Sequence, residues 1–253
     1  MPKQLMKYLL STFLVLGSFT FVVPIATAKA DNVNNAEQVA PSNIENYLMG
    51  KFDPAKNDAF VKVPVKYASR KGFYLRRSTL EAFKKMHEAA RKDGVKLIIR
   101  SATRNFNYQR GIWERKWRKQ KKSRSAVDKA RNILRLSSMP GSSRHHWGTE
   151  VDINAFTNKW FEHDQGLKLF RWMNKNAATY GFRRPYTKKD SKRPTGYNEE
   201  KWHWSYTPLS IPMLRDASSA LKDEKIVGFL GSETAAQIGV VKNYILGVDE
   251  SCR

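Results

Sequence analysis

Cysteine is nearly missing from this chain: of 253 residues, only Cys252 carries a thiol. No intramolecular disulfide can form, so the fold must stand on its core or on a metal. A thiol one residue from the end reads as a tolerated surface group, with an intermolecular bridge as its other use. Acidic residues are also scarce, 23 Asp and Glu against 46 Lys and Arg, for a formal charge of +23. There is no Gly-x-Ser-x-Gly elbow, and the single thiol is terminal, so neither an elbow serine nor a cysteine offers a nucleophile. No internal repeat is present, which excludes solenoid and array folds.

What is present is a globular composition, 41% hydrophobic with seven tryptophans, in a length that suits one domain with tails. The first residues form a separate unit. Lys3 and Lys7 precede an apolar run over residues 9–25, and Ala26-Thr27-Ala28 follows. A basic end, an apolar centre and a small-residue site describe a secretory signal peptide at residues 1–28. The alternative, a membrane anchor, fits less well with Pro24 and the polar residues from Lys29 onward. No cysteine follows the apolar run, which removes a lipoprotein anchor. Loss of residues 1–28 takes away Lys3 and Lys7 and no acid, leaving a charge of +21. Such a charge attracts polyanions. For an exported chain, in the periplasm, the cell wall or outside the cell, these are anionic wall or outer-membrane polymers rather than nucleic acid. The chain is read as a monomer.

Residues 29–50 read as a linker, its 31–41 stretch polar and Asn-rich. Residues 61–67 alternate and suggest an extended segment. The pattern predicts a helix over 78–92, with Ser78 and Glu81 as a capping box and Leu80, Phe83 and Met86 on one face. An apolar strand is expected at 95–99, and a long basic helical stretch at 107–136. The charge run at 118–124 is either a solvated helical face or a polyanion-binding surface. A strand at 151–155, a helix over 166–180 closed by Gly181, an aromatic strand at 201–206 and a helix at 234–246 with Ser232 as cap complete the reading. Helices and short strands mix without regular alternation, which favours an α+β fold.

Two segments carry the chemistry: Ser143-Arg144-His145-His146-Trp147-Gly148-Thr149-Glu150-Val151-Asp152 and Glu200-Lys201-Trp202-His203-Trp204. In a strand, Trp202 and Trp204 share one face and His203 takes the other. Glu200 can meet the same metal as His203 only from an irregular lead-in to that strand. Val151 and Ile153 should face the core and leave Asp152 accessible, while Gly148 lets the backbone return His145 toward Asp152. Two histidines and a carboxylate make a three-ligand zinc set with an open fourth position. His146 competes with His145, and the spacing to Gly148 and Asp152 favours His145. His87 and His163 read as structural or solvated.

Ser143-x-His145-x-x-Gly148-x-x-Val151-Asp152 followed by Glu200-x-Trp202-His203 resembles the zinc D-alanyl-D-alanine carboxypeptidases and dipeptidases, including the VanY-like vancomycin-resistance enzymes. The stretch from Ser101 to Asn105, with Gln109 beyond, is similar to that family's Ser-Gly-Tyr-Arg-Ser segment, matching at Ser101 and Arg104. The resemblance spans about residues 73–208. It implies a small catalytic domain at 51–215, with an antiparallel sheet flooring a zinc cleft and flanked by helices, and leaves 216–253 as a helical extension. It implies one zinc ion on His145, Asp152 and His203, with Glu200 as general base and Arg104 holding substrate or the developing oxyanion. Ser143 and Gln109 are the candidates for further substrate contacts. The implied activity is hydrolysis of the terminal D-alanyl-D-alanine bond of peptidoglycan stem peptides. Two alternatives stay open: an endopeptidase of the same family, and a non-catalytic module that binds wall or polyanion.

Overall fold

Residues 43–253 are described in the computed structural model of the protein; the signal-peptide reading of 1–28 and residues 29–42 of the linker lie outside them. Helix α1 (Ile44–Leu48) is capped by Asn43, whose side chain accepts from the Asn46 amide. Leu48 and Met49 are buried, so the last part of the stretch read as linker packs into the domain. Strands β1 (Phe60–Lys62) and β2 (Tyr74–Arg76) pair antiparallel. Helix α2 (Arg77–Lys92) runs on from β2 and buries Leu80, Phe83 and Met86, the face read from the sequence. Ser78 is not its cap: with no break after β2, the helix begins at Arg77 and Ser78 falls in its first turn.

Strand β3 (Ile99–Ser101) is displaced toward the carboxyl side of the predicted 95–99. The long basic stretch divides into α3 (Phe106–Lys119) and α4 (Ala126–Leu134), the second capped by the Ser125 hydroxyl. Strand β4 (Glu150–Ile153) and helix α5 (Asp164–Asn176) follow. A tight turn at Ala177–Tyr180 continues α5, and Gly181 at φ 79 closes it. Strands β5 (Phe182–Arg183) and β6 (His203–Tyr206) lead into α6 (Thr207–Ala220). The helix expected at 234–246 breaks at Gly239, φ 67, into α7 (Ala235–Ile238) and a π turn at Val241–Ile245.

The main sheet has the order β3-β4-β6-β5, with antiparallel pairing throughout. Its two faces follow from the period of two along each strand. Val151, Ile153 and Trp204 turn to one side, where they join Leu80, Phe83, Met86, Leu169, Trp172 and Met173 of α2 and α5 in a buried cluster. Glu150, Asp152, His203 and Ser205 line the opposite side. A second cluster, drawn from α1, α3, α4, α6 and the carboxyl-terminal residues, packs beyond that polar face. The sheet therefore floors a cleft between two apolar bodies, and the fold is α+β as the sequence implied. Residues 221–252 contribute Leu221, Ile226, Ile245, Val248 and Cys252 to the second cluster. Cys252 is fully buried there rather than at the surface, its thiol pushed up to about 12 by burial, out of reach of an intermolecular bridge. Among the described residues, no helix is long and apolar enough to cross a membrane.

Candidate metal centre

The register of β4 against β6 sets Asp152 directly across from His203, and Glu150 across from Ser205. Residues opposite each other in an antiparallel pair project to the same face, so the strands alone bring two of the three predicted ligands together. The third arrives by the turn before β4. Arg144–Trp147 form a short 3-10 helix that ends at Gly148, in the left-handed conformation at φ 76. A side chain at that position would overlap the Phe60 ring, so Gly148 is needed for space as well as for backbone angle. The chain then returns beside residues 102–104: Arg104 donates its amide to the His145 carbonyl at 3.1 Å, and His145 Nδ1 lies 2.8 Å from the Ala102 carbonyl.

His145 Nε2 is left pointing at Asp152 Oδ2, 3.3 Å away, and His203 Nδ1 sits 3.2 Å from Asp152 Oδ1. Among the described residues, these three side chains form a group whose ligand atoms all lie within 4.8 Å of one another. All three are at least 97% buried. His145 Nε2 and Asp152 Oδ1 have no hydrogen-bond partner. Buried polar atoms left bare are costly, and here two of them converge on one point. A tetrahedral ion with bonds of about 2.0–2.1 Å spaces neighbouring ligand atoms by about 3.4 Å, close to the two observed separations. The donor set, two imidazoles and one carboxylate, suits zinc.

The charges point the same way. Burial holds His145 down to about 4, so it is a neutral ligand at ordinary pH. Asp152 is opposed by burial, but His145 and His203 keep its carboxyl well below the usual range. Burial also works against a charge on His203, yet the Asp152, Glu150 and Glu200 carboxylates around the ring outweigh it and raise its pKa well above the ordinary value. Three carboxylates around one imidazole demand a positive charge, which a proton supplies when no cation does.

Glu200 lies in the irregular turn ahead of β6, as the one-face argument required. Its amide donates to Tyr186 O at 3.0 Å and its Oε2 reaches to 3.3 Å from His203 Nδ1. Asn158 holds the turn from both sides, donating to Glu199 O at 2.9 Å and accepting from the Lys201 amide at 2.9 Å. Burial raises the Glu200 carboxyl. Arg104 faces the same point, with Nη2 3.4 Å from Asp152 Oδ2 and Nη1 donating to Gln109 at 3.1 Å. Gln109 is fully buried and its amide nitrogen is held by Ser138 O at 2.8 Å, so it stands behind Arg104 rather than on the cleft surface. Ser143 Oγ is buried without a partner.

His146 lies outside the centre. Its Nδ1 is 2.5 Å from Arg104 O and its Nε2 accepts from the Gly141 amide at 3.0 Å, so both ring nitrogens brace the loop. His87 packs edge-on against Tyr67.

Three residues near the centre were not singled out by the sequence. They are Glu150, Arg144 and Lys116. Glu150 repeats Asp152 at a spacing of two on β4, a signal that was available; Lys116 is an exposed residue of α3, on the turn after Gln109 and Trp113. A Ser-x-x-Lys spacing also exists, Ser219 and Lys222, but Ser219 bonds the Arg215 carbonyl on an exposed helix end and takes no part in the cleft.

The VanY family model, described as D-alanyl-D-alanine carboxypeptidase, matches residues 72–209. A D-alanyl-D-alanine carboxypeptidase of Enterococcus faecalis is 33% identical over 125 residues, 49% of this chain and 45% of that one. The YodJ protein of Bacillus subtilis is 28% identical over 187 residues, 70% of this chain and 62% of its own. The chain thus spans between 45% and 62% of the length of these relatives. Among solved structures, the LdcB LD-carboxypeptidase aligns over 66% of this chain and 76% of its own at a TM-score of 0.50 and 23% identity, a likeness of fold.

Proposed function

The chain belongs to the VanY family of D-alanyl-D-alanine carboxypeptidases, and on that premise we propose that it is an exported zinc carboxypeptidase that removes the terminal D-alanine from peptidoglycan stem peptides. The observation that carries this reading is the convergence of His145, Asp152 and His203 with Glu200 Oε2 at 3.3 Å from His203 Nδ1. His145, Asp152 and His203 would hold a zinc ion whose Lewis acidity would bring the deprotonation of water within reach of neutral pH. Glu200 takes the proton from the attacking water and delivers it to the leaving amine nitrogen. Its burial-raised pKa suits a group that must accept and then release a proton. Arg104 stabilises the negative charge that develops on the scissile oxygen or grips the substrate carboxylate. The unpartnered Ser143 hydroxyl is free to bond substrate.

Lys116 supports an exopeptidase over an endopeptidase. Its ammonium donates to Ser137 Oγ at 2.5 Å, one residue from the carbonyl that holds Gln109 behind Arg104. Partial desolvation and then Arg104 lower its pKa, while Glu200 raises it. Two cations on one wall suit the free carboxylate of a chain end. In a bond cut inside a peptide, that charge is absent.

The test is mass spectrometry of muropeptides incubated with the mature protein, with and without a zinc chelator. Loss of one alanine from the pentapeptide, abolished by chelator and restored by zinc, supports the reading. Loss of alanine from the tetrapeptide alone moves the cut to an L,D bond, the specificity that the LdcB name states for that relative. A chelator-sensitive internal fragment turns the reading to an endopeptidase, and no zinc-dependent product overturns it.

A further inference from the structure

An imidazole can offer a metal only the nitrogen that carries no proton, and which nitrogen that is depends on what the other one bonds. At His203 this choice is made from beneath the cleft. Nε2 lies 2.8 Å from Glu150 Oε2, and Nδ1 faces the centre, 3.2 Å from Asp152 and 3.3 Å from Glu200. A neutral ring with its proton on Nδ1 would aim a lone pair at the Glu150 carboxylate. With the proton on Nε2, that contact becomes a charge-assisted hydrogen bond and the Nδ1 lone pair is free to ligate.

The surroundings divide the two oxygens of Glu150 between two tasks. Oε1 accepts from Ser205 at 2.6 Å and Thr149 at 3.1 Å, and meets Arg144 Nη2 at 3.1 Å. Oε2 is left for His203. Arg144 also donates to Ser205 at 2.8 Å, and the Ser205 and Ser210 hydroxyls, 2.7 Å apart, tie the group to α6. Glu150 and Arg144 are at most 1% exposed, and both oxygens of Glu150 are occupied by protein groups. An interior ion pair is expensive to bury and contributes little net stability over apolar packing. Of its connections, the one that reaches the metal ligands is the hydrogen bond to the His203 imidazole. His145 is treated differently: its Nδ1 has only the neutral Ala102 carbonyl.

We propose that Glu150, with Arg144 as its counter-ion, is a positioning residue that fixes His203 as the Nε2–H tautomer and strengthens its Nδ1 as a metal donor. The proposal rests on the metal-centre reading above and extends it to a carboxylate–imidazole–metal relay specific to one of the two histidines.

Two measurements test it, neither of which needs turnover. In the zinc-loaded wild-type protein labelled with nitrogen-15 at histidine, the His203 ring should carry its proton on Nε2; a proton on Nδ1 overturns the proposal. Zinc affinity should then be measured by chelator competition in Glu150→Gln and in the paired variant Glu150→Gln with Arg144→Met, which leaves no buried charge alone if the single change fails to fold. A folded variant should bind zinc roughly 10- to 100-fold more weakly than wild type. Affinity within twofold of wild type in a folded variant overturns the role of Glu150 while the metal centre stands. A wild-type protein that binds no zinc overturns both.

Discussion

Single side chains decide the chemistry, and the most exposed to test is Glu200. It lies 3.3 Å from His203 Nδ1 but outside the three-ligand group, so its loss should separate catalysis from metal binding. Glu200→Gln keeps the shape and removes the base. We expect one zinc per chain by elemental analysis and a kcat lower by about 10²–10⁴-fold, the usual contribution of a positioned base. Near-normal kcat would sink the assignment. Lys116 tests specificity in the same way. Lys116→Met should raise KM about tenfold or more for a peptide ending in a free D-alanine carboxylate, with little change in kcat, the mark of lost uniform binding. The same peptide ending in an amide lacks the charge, and its kcat/KM should be indifferent to the substitution. Equal losses on both substrates would remove Lys116 from the carboxylate site. Lysine and arginine differ in geometry, so Lys116→Arg should recover part of the loss by charge alone.

Between residues and the whole chain, the β4–β6 pair and the turn before it carry the centre. Gly148→Ala tests the turn: an L-residue in the left-handed region costs roughly 1–2 kcal/mol, and here the new methyl also meets Phe60 and Arg76. We expect thermal destabilisation of at least that size together with weaker zinc binding, because His145 is delivered by this turn. A stable variant with unchanged zinc affinity would show that the turn can be rebuilt another way. These elements were legible in the sequence because their signals are local: Val151 and Ile153 alternate with Asp152, Trp202 and Trp204 alternate with His203, and glycine marks the turn. Other elements were not legible. Helix α6 carries Pro212 within its span, and proline there argues against a helix until packing against β6 and the tail overrides it. Residues 120–125 read as one more turn of a basic helix, and only the cap at Ser125 ends that reading. Glu150 was not singled out in the sequence. Its burial depends on Arg144 and on Ser210 of α6, 60 positions away, and no pattern along β4 announces either.

At the scale of the molecule, the centre ties folding to metal and to pH. Its ligands lie between the two apolar bodies of the domain, with His145 reached through a loop and Asp152 and His203 through the sheet. Zinc that binds only the folded chain should stabilise it by about 2.7 kcal/mol at a free concentration 100 times its Kd. Without zinc, His203 has a folded pKa raised above its unfolded value by Asp152, Glu150 and Glu200 acting against burial. Its contribution to metal-free stability is therefore fully present below the unfolded value of about 6.5 and is lost as pH rises through the folded pKa. Zinc needs the deprotonated ring, so its affinity should fall by up to about tenfold per pH unit as pH drops below that folded pKa. His145, held down to about 4, adds no competing proton in this range. Both effects have one sign: the rise in Tm on adding zinc should be larger at pH 8 than at pH 6, with metal-free Tm drifting down over the same interval. Differential scanning calorimetry with zinc or chelator at pH 6, 7 and 8 reads both quantities. A zinc increment that stays constant across that range would mean that His203 gives up no proton when zinc binds.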